Sequence, residues 1–568
     1  MRIFVYTKNK SLLCRAMLQN GVKILLSFLL LLLVVNCAKR GNPTGGPKDE
    51  DPPVFVNASP PNYSTNFEGN EIRIYFDEYI KLKDLQKQLI ISPPMNPAPL
   101  ITPLGSAAKY IDIEILDTLI PNTTYVFNFG NSVVDNNEGN PFSFFKYVMS
   151  TGDYIDSLSI KGVIKDALLR EPDDYVTVML YEVDSTYSDS VIYKQTPRYI
   201  TNTLDSSVTF ELSNLREGRY RLAALKDEDN NYTFQPEKDK IAFFDSFIDV
   251  PTDSTYTLTL FSENETSVSR PKQAGEQRVS FPYTGAKDSI DIELISEKPA
   301  GYESLISYKE DIDTLRYWYK PQIESDSLVF QVKTEKATDT LFLRKRKMKK
   351  DSLIISALTS SSLKLGDSIK LQASIPLVSL NESLISLTKA DSSLVDFSTR
   401  LIPEQAQVIF GFETEENEKY TLQILPKALT DFYGSTNDSL VIKSSTKEYA
   451  DYGELELTLK NAQNYPYIVQ LVTESGDVKR EQYAKEGETE FAFRIVNPGK
   501  YYVRLIEDSN ANGVYDTGNY LARRQPETII YYPELQDVRA GWLPKKTFIL
   551  DSPATIPATE TSPDLPEN

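Results

Sequence analysis

The chain has 568 residues, with 80 Asp and Glu against 61 Lys and Arg, a formal charge of −19, and no histidine. That length exceeds what one hydrophobic core supports and implies several domains of roughly 100–150 residues each. Without imidazole there is no Ser-His-Asp or Cys-His catalysis, no histidine-ligated zinc and no histidine pH switch, and the acidic balance disfavours nucleic acid while suiting divalent cations or basic partners.

At the N-terminus Arg2, Lys8, Lys10, Arg15 and Lys23 precede an apolar run from Ile24 to Val35, interrupted by Ser27. The run suits a signal-peptide core and falls short of the ~20 residues that span a bilayer. It closes on Val34-Val35-Asn36-Cys37. This closure resembles a bacterial lipobox, which implies cleavage after residue 36 and acylation of the Cys37 thiol. Two acyl chains, at ~0.8 kcal/mol per buried CH₂, give a stable anchor. Removal of 1–36 takes five basic residues and Cys14 with it, leaving a body of charge −24 without a free thiol. Met17 is an alternative start. Residues 37–53, rich in Gly and Pro, read as a lipidated tether, and 551–568, rich in Pro, Thr, Ser and Glu, as a disordered tail.

Between these ends, Tyr, Phe, Val, Ile and Thr in short alternating runs predict an all-β chain of tandem β-sandwiches. In 54–152 the runs Ile72-Arg73-Ile74-Tyr75-Phe76 and Tyr110-Ile111-Asp112-Ile113-Glu114 alternate with period two. A Ser59-Pro60-Pro61 turn, Phe76-Asp77-Glu78, the entry Pro121 to Tyr125 and the turn from Asp135 to Gly139-Asn140 accompany them. This order resembles bacterial Ig-like domains of the S-layer type and implies a seven-stranded sandwich. A weaker copy at 351–447 repeats Tyr125, Gly139, Ser150 and Thr151 as Tyr420, Gly434, Ser445 and Thr446.

A second repeat is clearer. Phe210, Gly218-Arg219-Tyr220, Leu222, Leu225, Asp227, Asp229 and Asn231 recur at one offset as Phe491, Gly499-Lys500-Tyr501, Val503, Ile506, Asp508, Asn510 and Asn512. The Gly-x-Tyr strand leaving a turn resembles the transthyretin-like or carboxypeptidase-regulatory-like sandwich, expected at 157–262 and 452–550. The stretch 275–345 is strand-like and carries no family signature. The order of modules, with Cys37-Ala38 and Gly41-Asn42-Pro43-Thr44-Gly45-Gly46-Pro47, resembles the Ig-like-domain lipoproteins of Bacteroidota, which implies an outer-membrane lipoprotein.

The strongest candidate for chemistry is Asp508-Ser509-Asn510-Ala511-Asn512-Gly513-Val514-Tyr515-Asp516. It resembles the first part of a calcium loop. Asp508, Asn510, Asn512 and Asp516 would offer side-chain oxygens, Val514 its carbonyl, and Gly513 the sharp turn. Asn519 stands where an EF-hand has its bidentate Glu, so a neighbouring loop would have to complete the shell. The same residues also build ordinary hairpin turns. In the first copy Asp227, Asp229 and Asn231 form a weaker metal candidate, with Gln235 in place of Asp516 and Asp239 or Glu237 as replacements. The basic run Arg344 to Lys350 reads as a solvated linker, with an anionic surface as the other reading. Asp156-Ser157-Leu158, Asp288-Ser289-Ile290, Asp326-Ser327-Leu328 and Asp438-Ser439-Leu440 resemble the Bacteroidota O-glycosylation signal. Trp318 and Trp542 are the first suspects for a glycan platform, although core filling is their more ordinary role.

These features point to a non-catalytic, lipid-anchored envelope scaffold that binds a protein partner in the outer membrane. A surface glycan-binding or adhesive protein is the alternative, and a carboxylate hydrolase a third reading that no motif supports. Ala38-Lys39-Arg40 after the lipidated Cys37, in place of acidic residues, leans the body toward the periplasm.

Overall fold

The computed structural model describes residues 48–203 and 207–550, so Cys37, most of the tether and the tail after Leu550 lie outside the described residues. Within them the chain is almost entirely β, as expected, and its strands form five successive pairs of facing sheets, the fourth with an added two-stranded sheet of Leu377–Leu380 and Leu429–Asp431.

In the first pair, strand Glu71–Leu82 lies between Phe55–Ser59 and Ala108–Glu114, facing a sheet of Ile90–Ser92, Thr124–Asn128 and Lys146–Ser150. The alternation Ile72, Ile74, Phe76 turns one face inward, where these side chains join Phe127, Phe129 and Tyr147 in a buried core.

The fourth pair is wound in the same way. Ile355–Ala357, Ile369–Ala373, Gln407–Gly411 and Ser398–Ile402 form one sheet, and Ile385–Thr388, Lys419–Ile424 and Leu440–Thr446 lie in the other. The repeated residues do the same work in both. The Tyr125 hydroxyl accepts from the Ile120 N–H at 2.9 Å, and Tyr420 from Glu415 at 2.7 Å. Thr151 and Thr446 each accept a backbone N–H at 3.0 Å, from Thr123 and Glu418 respectively.

The second and fifth pairs share a different winding. In the second, strands run in the order Tyr199–Asn202, Thr177–Glu182, Gly218–Lys226, Lys240–Phe243, opposite Thr209–Leu215, Leu158–Asp166 and Thr255–Leu260. In the fifth, Val478–Ala484, Tyr467–Val472, Gly499–Glu507 and Ile529–Tyr531 face Glu490–Val496, Gly453–Lys460 and Lys545–Ile549. The last strand of each pairs in parallel with the first, Thr255–Leu260 on Leu158–Asp166 and Lys545–Ile549 on Gly453–Lys460.

The third pair begins at Ser267, ahead of the expected 275, because Ser267–Val268 and Lys272–Gly275 both hydrogen-bond to Arg278–Thr284. It packs on the fourth through Trp318, fully buried with Ile375 and Phe432, its indole N–H donating to Ser307 Oγ at 2.7 Å. The basic run 344–350 joins these two pairs, following strand Thr338–Arg344.

The fifth pair returns to the second. Strand Thr177–Glu182 is buried on both faces. Val178 and Leu180 face the interior of their own sandwich, while Met179 and Tyr181 lie in a second cluster with Ala223, Leu225, Phe243, Phe261 and Tyr520. Tyr520, 3% exposed, is the fifth pair's buried contribution to that cluster, with the half-buried Tyr515 packed against it. The Tyr520 ring stands edge-on to Phe243 at 5.4 Å.

Candidate functional site

The segment 508–527 holds both the calcium candidate and the contact with the second pair of sheets. Strand Gly499–Glu507 delivers its first residue, Asp508, into the structure at 1% exposure. Asp508 accepts the Asn512 N–H at 3.1 Å and the Gly513 N–H at 2.8 Å. Gly513 has φ +79°, which is the left-handed turn expected of it. Asn510 and Asn512 both donate their side-chain amides to Asp516 Oδ2, at 2.6 and 2.7 Å. Val514 is exposed and donates its N–H to Asn512 Oδ1.

The spacing did not reveal Glu527. This buried carboxylate accepts from the Ser509 N–H and hydroxyl through Oε1 and from the Asp516 N–H through Oε2. It ties the start of the loop at Ser509 to its end at Asp516. No local pattern points to it, since it reaches Ser509 only after the intervening chain has turned back on the second sandwich. Among the described residues no three Asp, Glu or Cys side chains converge closely enough to hold a metal ion as the loop stands.

The first copy is more completely self-satisfied. Asp227 accepts from the Asp229 and Tyr232 N–H groups, and Asn231 from Thr233. Asp239, one of the two expected replacements, is brought in and accepts from Glu228 and Gln235, whereas Glu237 stays exposed. Lys238 already sits on Asp229 at 2.7 Å, so an ammonium occupies ground that a metal would need. Burial, with a contribution from the Asp239 charge, pushes the Asp227 carboxyl above its ordinary range.

From Thr517 onward the loop grips the second sandwich. Thr517 donates to the Ser262 carbonyl at 2.6 Å, the Tyr520 N–H to Glu263 Oε1, and Gln525 to Asp245 at 2.7 Å. A side chain at Gly518 would meet the Phe261 ring at 2.6 Å, so the approach requires glycine. On the other flank Arg504 and the Tyr531 hydroxyl donate to the Leu168 carbonyl, and Arg170 lies 4.9 Å over the Tyr502 ring.

The two tryptophans separate. Trp318 fills a core, whereas Trp542 is 59% exposed, with the Arg539 guanidinium 5.1 Å over its ring. The core-filling expectation therefore fails for Trp542, which lies in a turn closed by its own N–H to the Arg539 carbonyl. Of the Asp-Ser triplets, Ser157, Ser327 and Ser439 are exposed, while Ser289 is half-buried and donates to the Ala286 carbonyl.

Residues 49–150 match the family model of the bacterial Ig-like domain, in agreement with the resemblance read from that stretch. No curated protein matches the chain. Among solved structures, domains 1–6 of the surface layer protein SbsC share 9% identity over 82% of this chain and 67% of that one, at a TM-score of 0.14. The Bacteroides ovatus mixed-linkage glucan utilization locus protein SGBP-B, in complex with a mixed-linkage heptasaccharide, shares 11% over 66% of this chain and 93% of its own, at 0.19. At such scores neither transfers a ligand or a role.

Proposed function

We propose that the chain is a non-catalytic scaffold of the bacterial cell envelope, held to the outer membrane by lipid on Cys37 and binding a protein partner there, its body on the periplasmic side. The observation that carries this reading is the return of the fifth sandwich onto the second, through Tyr520, Arg523 and Gln525. A string of sandwiches joined only end to end would move freely. One fastened back on itself holds its loops in constant relation, which is what a docking scaffold needs. Affinity purification of the tagged chain from membranes tests the reading. A defined outer-membrane protein should co-purify, and the Cys37→Ser variant should leave the membrane fraction and lose lipid labelling. A variant still membrane-bound after carbonate washing overturns the anchor, and a purification without a stoichiometric partner overturns the scaffold.

A surface glycan-binding role is favoured by one feature. Tyr75 and Tyr110 lie side by side on an exposed sheet face, ring centroids 6.4 Å apart, with Arg73 4.7 Å over Tyr110. Tyr75 borders a shallow cleft of about 600 Å³ that Arg73, Asp112 and Glu114 also line. Exposed aromatics beside fixed polar groups suit a sugar face. Oligosaccharide titration of the chain and of its Tyr75→Ala variant decides between the two readings.

Calcium at Asp508, Asn510, Asn512, Val514 and Asp516, completed by Glu527, belongs to the same proposal as a clasp on the closing loop. The self-satisfied first copy, Asp227, Asp229 and Asn231, is the weaker site.

A further inference from the structure

Between the second and third sandwiches lies a cleft of about 610 Å³. Glu237, Asp239, Glu263, Glu265 and Asp313 line it, against one cation, Lys238. Lys238 is already committed to Asp229, and among the carboxylates Glu265 takes Lys336 from the cleft's margin. The remaining charge is strongly negative.

Acidic surfaces are common, but Glu263 is not a surface residue. It is 6% exposed, and while its Oε1 accepts the Tyr520 N–H, its Oε2 has no hydrogen-bond partner. A buried carboxylate oxygen left unpaired costs more than one exchanged with water, and such groups ordinarily have a partner. Burial accordingly pushes the Glu263 carboxyl above its usual range, with the Glu265 charge adding to it.

Two aromatic rings complete the wall. Tyr193 and Phe234 line the same cleft with centroids 5.5 Å apart. Glu263 and Glu265 line the same cleft as these rings, and their charges add to burial in raising the Tyr193 hydroxyl. Aromatic faces beside carboxylates attract a desolvated organic cation. A metal ion fits less well, because no three of these acids converge at metal-ligand range.

We infer that this cleft receives a guanidinium or alkylammonium group, the side chain of an Arg or Lys on a basic peptide segment, with Glu263 as its buried counter-charge and Tyr193 and Phe234 as its apolar wall. The inference does not depend on the Cys37 anchor or on calcium.

Calorimetric titration of the full chain with N-acetyl-arginine methylamide, and with the isosteric but neutral citrulline derivative, tests it. The arginine derivative should bind saturably, more weakly as salt rises, and the citrulline derivative should not bind. Glu263→Gln keeps the acceptor for Tyr520 and should weaken binding roughly tenfold or more, as for loss of one partner of a buried charge pair. Asp313→Asn, on the exposed wall, should weaken it less, and Asp537→Asn, in the fifth sandwich, should leave it unchanged. Equal binding of the two derivatives, unaltered affinity in both cleft variants, or heat from calcium chloride that Glu263→Gln abolishes while the arginine derivative stays silent would each overturn the inference.

Discussion

Arg523 reaches across 334 residues of sequence to hold both carboxylate oxygens of Asp189 at 2.8 Å. The fully buried Arg221 lies 4.0 Å from the same carboxylate, and the Phe247 ring lies beneath both guanidiniums, at 4.4 Å from Arg221 and 5.6 Å from Arg523. Burial pushes the Asp189 carboxyl up, but the hydrogen bonds from Arg523 and Tyr187 prevail and hold it below its ordinary range. This is the polar clamp beside the Tyr520 plug.

Arg523→Ala should loosen that clamp. The pair is partly exposed, so about 1 kcal/mol is the expected loss, smaller at high salt. A depressed carboxyl contributes stability above its unfolded pKa, and that contribution fades as pH falls through the lower folded value. The wild-type advantage should therefore be full at neutral pH and vanish in acid. Hydrogen exchange at the Tyr520 amide reads the effect directly. Exchange equal to wild type at pH 7 would mean the apolar plug alone holds the loop.

Tyr220 and Tyr501 offer a paired test of the repeated sandwich. Each donates its hydroxyl to the carbonyl four residues back, Tyr220 to Arg216 at 2.9 Å and Tyr501 to Asn497 at 2.8 Å. Tyr→Phe at either position removes one hydrogen bond without opening a cavity, at about 1 kcal/mol. Denaturant unfolding should show similar losses for Tyr220→Phe and Tyr501→Phe. A loss at one position alone would mean that the two corners are not equivalent supports.

The repeat was legible because backbone-bonding side chains such as Tyr125, Tyr420, Thr151 and Thr446 must keep their spacing wherever the winding recurs. Strand alternation was legible for a similar reason, since Ile72, Ile74 and Phe76 can face only one core. The return of the fifth sandwich was less so. Its trace is the unbroken apolar run Val178-Met179-Leu180-Tyr181, which an open sheet face would not carry and which signals burial on both sides. What covers that face, Tyr520, lies too far along the chain for any local pattern to say. Glu263 and Glu527 were invisible for the same reason: their environments are made by that return. Trp542 misled because a single aromatic in a Gly541-Trp542-Leu543-Pro544 turn has no periodic neighbours from which to judge its face.

Glu263 should make the junction respond to acid in an unusual direction. Its carboxyl is raised by burial, with Glu265 adding and the Tyr520 N–H, Lys336 and Arg524 opposing. A raised carboxyl weakens the fold while it is charged. As pH falls through the raised folded value toward the unfolded one, the folded state takes up the proton first and this group's contribution improves. Glu263→Gln should therefore melt at or above the wild-type temperature at pH 7, and the difference should shrink as pH falls toward the ordinary carboxylate range. A variant that melts lower at pH 7 would show that the charged form is what the junction requires.

Calcium is the last outcome to expect, and the loop's own hydrogen bonds set its size. Asp508, Asp516 and Glu527 are three carboxylates around one turn, each now held by N–H donors from Ser509, Asn512, Gly513 and the amides of Asn510 and Asn512. For a cation to enter, both Asn amides must turn their oxygens inward and release Asp516. The exchange replaces several partial positive charges by one double charge, so net affinity is modest. Binding to the folded state alone raises stability by mass action, about 2.7 kcal/mol at 100 times the dissociation constant. Because the loop continues into Tyr520 and Arg523, the gain should also appear as slower hydrogen exchange at the contact with the second sandwich. Asp508→Asn combined with Asp516→Asn should abolish both effects while leaving stability in EDTA unchanged or slightly higher, since two like charges are removed. Melting of the full chain in EDTA and in millimolar calcium decides it. Identical melting temperatures and identical exchange at Tyr520 would leave 508–516 as a hydrogen-bonded turn whose whole task is to aim the closing loop.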